Sequence, residues 1–372
     1  MTGKKLDNSK TILVAPLSWG LGHATRCIPI IHELLAQNIK VMIAGDGPVA
    51  ALLTKEFPQL PIIQLKSFAI KYSSAKKWFF LKMLWQLPCG ILLVYREKRW
   101  LKGVIEKYKI DAVISDNRMG LYHTGIHCVY ITHQLNIKTE MGNRADKLAQ
   151  QLHYHFINKF NECWVPDFEG EQNLAGELSH PIKKPATPVK YIGALSRFEQ
   201  IHETAKQYDY LIILSGPEPQ RTIFENILLK QIPTVEGKFL LVRGLPEISL
   251  TITASPNTTI INHLTSEELN KAIQSSSLII SRSGYTTVMD LIKLNKKAIF
   301  VPTPGQPEQE YLANHLSVNN LFYITHQENF DLKQSIEAAE KFKVSSVHSL
   351  PINLYKPVIH QFILSLTQQK IK

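Results

Sequence analysis

The sequence is poor in the features that announce a metal centre, a disulfide framework or a membrane span. Its four cysteines (Cys27, Cys89, Cys128 and Cys163) are scattered with no C-x-x-C pair. That pattern predicts reduced, mostly buried thiols in a cytosolic protein. No Asp-x-Asp closes an apolar run and no His/Cys cluster has ligand spacing, so no metal site is expected. The opening MTGKKLDNSK has no apolar core and does not read as a secretory signal. Repeats of solenoid period and low-complexity tracts are absent. What remains is a chain of 372 residues, 44% hydrophobic and 20% charged, the composition of a soluble globular protein with room for two ordinary domains.

Acidic residues are scarce in one place. Of the net charge of +11, nearly all sits in the first half. Residues 1–190 hold 25 Lys+Arg against 15 Asp+Glu, while 191–372 hold 17 against 16. Within 66–109 there are 11 basic and 2 acidic residues. The apolar stretch between Trp78 and Tyr95 is broken by Lys82, Gln86 and Pro88, too interrupted for the roughly 20 apolar residues of a spanning helix. Trp78, Trp85, Tyr95 and Trp100 among lysines and arginines fit an interfacial element resting on anionic headgroups. They fit equally a pair of core helices with solvated basic faces. Nucleic acid is not expected, because no recognition module accompanies the patch.

Short apolar runs alternate with helical periodicity along the whole chain, which predicts an α/β architecture of doubly wound parallel sheets. In the first half the runs are 11–15, 39–44, 60–65, 111–115 and 128–132, with a short one at 163–166. The proline- and lysine-rich stretch 180–189 reads as an interdomain linker. This divides the chain into an N-terminal domain over 1–190, carrying the basic and aromatic segment 66–109, and a C-terminal domain over 191–372. The apolar period of 353–369 would let the last helix cross back to the first domain. A dinucleotide-binding loop is the alternative for Gly20-x-Gly22-x-x-Thr25, but it lacks the third glycine.

The densest pattern is 277–314, where Leu278 to Ile280 lead into Ser281-Arg282-Ser283-Gly284 and a helix-period run closed by Asn295-Lys296-Lys297. A second apolar run stops at Pro302-Thr303-Pro304-Gly305, and another helix starts near Pro307. Loops of this kind lie at the carboxyl ends of parallel strands, where open sheets bind ligands. The turn at Ser283-Gly284 offers backbone N–H groups at a helix start, a seat for phosphate.

Two like-sized doubly wound domains with this block in the second resemble the GT-B glycosyltransferases, Rossmann-like domains facing a cleft. The MurG-like group, with its family 28 C-terminal domain type, is the nearest resemblance. It rests on 20–26, 215–221 and 281–314. It implies a hexosyltransferase that moves a hexose or N-acetylhexosamine from a UDP-sugar co-substrate, with inversion, no metal and no cofactor. The acceptor is expected to be a glycan held by the first domain, or a lipid-linked molecule if the patch 66–109 meets an anionic membrane, and the location cytoplasmic, peripheral on the inner face of the membrane in that second case. By position, Asp290 matches the ribose-binding acid, where the family usually has glutamate. Gln309 and Glu310 match the pair on the donor-sugar hydroxyls. Ser283 and Gly284 match the turn under the diphosphate, and His263-Leu264 falls where the backbone meets the uracil. Ser215, Gly216 and Arg221 match a phosphate loop normally rich in glycine. Here Pro217 and Pro219 remove N–H donors, so Arg221 is expected to supply more of the positive charge.

In the first domain, His23 matches the histidine of the glycine loop formed with Gly20 and Gly22. An acceptor hydroxyl attacking an anomeric carbon must lose a proton, and a histidine made neutral by a positive helix end can take it. Asp116, at a strand end, is the candidate that orients the imidazole, and His133 is a candidate acceptor contact. Packing residues at the same places are the bland alternative. An epimerase or hydrolase of the same fold, or a non-catalytic nucleotide-sugar-binding subunit, are the competing functions.

Overall fold

The computed structural model of the chain describes residues 10–18, 20–67, 76–138, 142–201, 204–245, 251–345 and 350–368, with the backbone alone at 76–89 and 251–255. The described chain forms two compact units. The expected side-chain roles of Trp78, Trp85, Lys76 and Lys77 fall outside the described side chains.

The first unit holds Met1–Glu169, Glu177–Leu195 and Asn353–Lys372. Its elements run β1 (Thr11–Pro16), α1 (Leu21–Ala36), β2 (Lys40–Gly45), α2 (Gly47–Glu56), β3 (Ile62–Gln64), α3 (Lys76–Tyr108), β4 (Ala112–Asp116), β5 (His127–Ile131), α4 (Asn143–Ile157), β6 (Glu162–Val165) and β7 (Val189–Tyr191). Seven strands pair in the order β3-β2-β1-β4-β5-β6-β7, every pair parallel. Ile12, Leu13, Val14 and Ala15 are all fully buried. Strands covered on both faces carry continuous apolar runs, which is why they stand out in the sequence.

Two expectations are corrected here. The segment 180–189 is no linker. Thr187 is 6% exposed, the Pro188 carbonyl accepts from the Cys163 N–H at 2.9 Å, and Val189–Tyr191 is the seventh strand of the sheet. Prolines that suggest a spacer instead shape a packed loop, since a proline carbonyl still accepts. Nor does the basic segment make a pair of helices: Lys76–Tyr108 is one helix of 33 residues. In its described half, Glu97, Leu101 and Val104 are buried against the unit, while Ile91, Leu92, Tyr95, Arg96, Arg99 and Lys102 are exposed. Among the described residues no helix is long and apolar enough to cross a membrane.

The second unit holds Gly170–Gly176 and Ser196–Ile352. It runs β8 (Tyr208–Ile213), α5 (Gln220–Gln231), β9 (Phe239–Val242), β10 (Thr251–Ser255), β11 (Thr258–Ile261), α6 (Ser266–Gln274), β12 (Ser276–Ser281), α7 (Tyr285–Lys293), β13 (Ala298–Phe300), α8 (Pro307–Val318), β14 (Tyr323–Ile324) and α9 (Leu332–Lys341). The sheet order is β10-β11-β9-β8-β12-β13-β14, parallel except for β10 against β11. Thr265 and Glu268 close a reciprocal cap at the start of α6, which satisfies two otherwise unpaired donors. Asn295, with φ of 50°, ends the turn after α7 in the left-handed region asparagine tolerates.

The last helix, α10 (Tyr355–Gln368), belongs to the first unit. Tyr355, Ile359, Phe362 and Leu366 join the core that α1 forms with the sheet, and the Phe362 ring meets Trp164 edge-on at 5.4 Å.

Candidate functional site

At the C-terminal edge of the first sheet, Asp116 ends β4 and pairs in register with Pro16 of β1. It is fully buried. Helix α1 begins just beyond β1 and turns three residues toward this carboxylate. His23 Nδ1 lies 3.2 Å from Asp116 Oδ1. Arg26 Nε donates to Asp116 Oδ2 at 2.7 Å, its Nη2 donates to Asp116 Oδ1 and approaches His23 Nδ1 at 2.9 Å, and its Nη1 lies 2.9 Å from His133 Nδ1. The structure thus brings His23, Asp116 and His133 together and adds Arg26, which closes the stretch 20–26 without a role in the resemblance. The signal is its spacing: residues three apart share a helix face, so the face that carries His23 to the strand end carries Arg26 as well.

Electrostatics follow from this geometry. Burial lowers the His23 pKa, the Arg26 and His133 charges push the same way, and Asp116 opposes them. The imidazole is therefore neutral near pH 7, as a base must be. Burial alone would raise Asp116, but Arg26 and His23 hold it well below the usual carboxylate range. The two contacts on His23 Nδ1 ask for opposite tautomers: the carboxylate accepts a proton there, and the guanidinium donates one. Only the first leaves Nε2 bare for substrate. Gly20 has extended backbone, with φ of 173°, and an added Cβ would meet nothing within 4 Å. The Gly22 carbonyl accepts from Thr25 Oγ1 at 3.0 Å.

At the C-terminal edge of the second sheet, Ser215 and Gly216 follow β8 and are exposed. Arg221 corrects an expectation. It is 6% exposed, and it donates from Nε to Glu218 at 2.6 Å, from Nη1 to Glu225 at 2.7 Å and from Nη2 to Thr222 at 2.6 Å. Glu225 also takes Arg243, which reaches Asn262 Oδ1 at 3.0 Å. Two guanidinium groups thus face two carboxylates, and Arg221 is no spare cation for phosphate. The spacing of Glu218, Arg221 and Glu225 is that of helix neighbours that pair. His263 and Leu264 lie in the loop between β11 and α6, His263 exposed.

The 277–314 block is knitted together. Ser283 is fully buried, and its Oγ donates to the Gln309 carbonyl at 3.0 Å. Gln309 Oε1 accepts from the Thr303 N–H at 3.0 Å, and Glu310 Oε1 accepts from the Gly305 N–H at 2.8 Å. Both side chains thereby fix the turn before α8. Gly284 precedes α7, and an added Cβ there would meet only Thr287 Oγ1, at an ordinary 3.9 Å. Asp290 is 8% exposed and accepts from Ser196 Oγ at 2.5 Å; burial pushes its pKa up to about 6, against the pull of Arg197, Ser196 and Lys293. Among the described residues no group of three His, Cys, Asp or Glu is placed to hold a metal ion.

Residues 251–345 match the glycosyltransferase family 28 C-terminal domain. Over 99% of this chain and 100% of the relative, it is 23% identical to a UDP-N-acetylglucosamine--N-acetylmuramyl-(pentapeptide) pyrophosphoryl-undecaprenol N-acetylglucosamine transferase of Histophilus somni. The fold matches the crystal structure of Acinetobacter baumannii MurG with a TM-score of 0.55 at 14% identity, covering 95% of this chain and 98% of that one. It also matches the spinosyn rhamnosyltransferase SpnG complexed with thymidine diphosphate, with a TM-score of 0.53 at 13% identity, covering 96% of each. The chain is a glycosyltransferase of the GT-B fold. Within that class its C-terminal part matches the family 28 domain, and the whole chain is similar to the MurG-type relative.

Two outcomes follow. Replacing Arg26 with Gln removes the charge that lowers His23 and leaves Asp116 to raise it. The His23 pKa then rises, and the acidic limb of the pH–activity profile moves to higher pH. NMR titration of the imidazole checks the first and initial rates the second, while Arg26→Lys keeps both near wild type. Asp290→Asn removes a carboxylate whose folded-state pKa lies above its unfolded value of 3.8. The folded wild type holds that proton more tightly, so its stability falls as pH rises from about 4 to 6. The variant gains on the wild type over that window by roughly 2–3 kcal/mol, read from denaturation midpoints at pH 4 and pH 7.

Proposed function

We propose that this protein transfers a hexose or N-acetylhexosamine from a UDP-sugar to a hydroxyl of a lipid-linked or envelope-glycan acceptor, with inversion and without metal. The observation that carries the reading is the His23 imidazole, neutral and held against the Asp116 carboxylate at a strand end. The acceptor oxygen attacks the anomeric carbon as its proton passes to His23 Nε2. The bond from that carbon to the diphosphate oxygen breaks, and the nucleoside diphosphate leaves with the bonding pair. A single displacement from the face opposite the leaving group inverts the centre. Developing phosphate charge falls on preorganised N–H groups at the start of α7, a form of stabilisation that needs no metal. Asp290, Gln309 and Glu310 are the contacts proposed for ribose and donor sugar, with His263 and Leu264 for the base.

The described half of α3 supports a peripheral site at the inner face of the membrane. Ile91, Leu92 and Tyr95 are 62%, 47% and 65% exposed, beside exposed Arg96, Arg99 and Lys102. Apolar side chains ringed by cations suit anionic headgroups.

Nucleoside diphosphate release tests the reaction. With UDP-GlcNAc, UDP-Glc, UDP-Gal and dTDP-sugars as donors, release should depend on an added acceptor; release with water alone would make the protein a hydrolase. His23→Ala should bind UDP normally and lose about a hundredfold to ten-thousandfold in turnover. Undiminished turnover would remove His23 as the base. The variant Ile91→Ser, Leu92→Ser, Tyr95→Ser should no longer sediment with phosphatidylglycerol vesicles. A wild type that ignores such vesicles would end the membrane part of the proposal.

A further inference from the structure

We infer that the Thr303 hydroxyl and the notch beside Gly216 form the seat for a phosphate oxygen of the nucleoside diphosphate, a contact that rests on the donor reading above. Gly216 has φ of +102°, a conformation that disfavours a side chain. The space where its Cβ would stand has one atom within 4 Å, Thr303 Oγ1 at 3.6 Å. Thr303 is 1% exposed, and Oγ1 has no hydrogen-bond partner. Its N–H is already spent on Gln309, and Pro302 and Pro304 on either side have none to offer. A buried hydroxyl without a partner is costly unless something enters to accept from it.

One residue from Thr303, the Pro302 carbonyl is held by Arg282, which is 1% exposed. It donates to the Val301, Pro302 and Gln220 carbonyls at 3.2, 3.3 and 3.0 Å, and to Gln327 Oε1 at 2.5 Å, with its guanidinium 4.4 Å from the Phe224 ring centroid. Arg26, Arg118 and Arg221 are buried too, and each is neutralised by a carboxylate. Among the described residues Arg282 pairs with none. Carbonyls and an amide solvate its charge without cancelling it, and burial lowers its pKa only to about 10, so it stays a cation. It also ties together Gln220 at the start of α5 and Val301-Pro302 after β13, the two segments that flank the notch. The loop after β8 lacks N–H donors at Pro217 and Pro219, and its arginine is neutralised. An anion there draws instead on one hydroxyl and one uncompensated buried charge. An oxygen entering from the Gly216 side accepts from Thr303 Oγ1 and lies in the field of Arg282.

Calorimetric titration of wild type, Thr303→Val and Thr303→Ser with UDP, and with uridine as the phosphate-free probe, tests this. Valine keeps the shape and removes the hydroxyl. UDP binding to Thr303→Val should weaken about tenfold or more, uridine binding should not change, and serine should hold UDP near the wild-type affinity. Thermal melting of the ligand-free valine variant should match or exceed the wild type. Unchanged UDP affinity, equal weakening of UDP and uridine, or a markedly lower melting temperature would each overturn the seat while leaving the donor reading intact. A wild type that binds neither UDP nor dTDP would overturn both.

Discussion

The pair on which the first unit's chemistry depends is the buried one between Asp116 and Arg26. A carboxylate with no exposure at a strand end stays ionised only because a guanidinium lies against both its oxygens. Everything around it inherits that constraint. The negative charge orients the His23 imidazole, burial together with the positive charge keeps it from protonating, and the spare arm of the guanidinium reaches His133. Remove either member and the other is an uncompensated buried charge, so the site is over-determined by the stability of the fold. The histidine is the one member of the group left partly exposed to meet a substrate.

The second unit handles buried arginines differently, and the contrast locates its anion-binding capacity. Along the β8, β9 and β11 strand ends, Arg221 and Arg243 are matched by Glu218 and Glu225, leaving that stretch electrically balanced. At β12 and β13, Arg282 is solvated by backbone carbonyls and the Gln327 amide, with no carboxylate among the described residues. The unbalanced charge lies two residues before Gly284, which opens α7, so a buried cation and the positive end of a helix dipole share one segment of the edge. Ser283, Gln309 and Glu310 spend side-chain atoms on holding that segment rigid, which is the preorganisation that electrostatic stabilisation of a leaving group requires.

Much of this was legible in the order of residues, for physical reasons. Strands buried on both faces must be apolar throughout, so β1, β4, β8 and β12 show as unbroken runs, and the glycine loop before α1 flags His23. Strands of two or three residues, such as β7 and β14, carry too little periodicity to show, and the prolines before β7 imitate a spacer. Arg26 shares the helix face of His23 by spacing, but nothing local reveals that this face meets a buried carboxylate. Arg221 is the instructive case: Glu218 and Glu225 at three and four residues already signal a neutralised charge. Thr303 is silent in the sequence. Whether a hydroxyl has a partner is decided by what the rest of the fold places beside it.

The crossover between the units adds a last constraint. The chain leaves the first unit at Leu195, and its next residue, Ser196, donates to Asp290. Lys293, one turn further along α7, donates to the Ser196 carbonyl at 3.4 Å and to Glu199 at 2.7 Å. Helix α7 is thus tied along its length to the segment 196–199. A hydroxyl that bonds Asp290 competes with Ser196 for a carboxylate already perturbed by burial. Any ligand that wins this competition changes the bonding of the segment joining the two units, because the group that would recognise it also holds that segment in place.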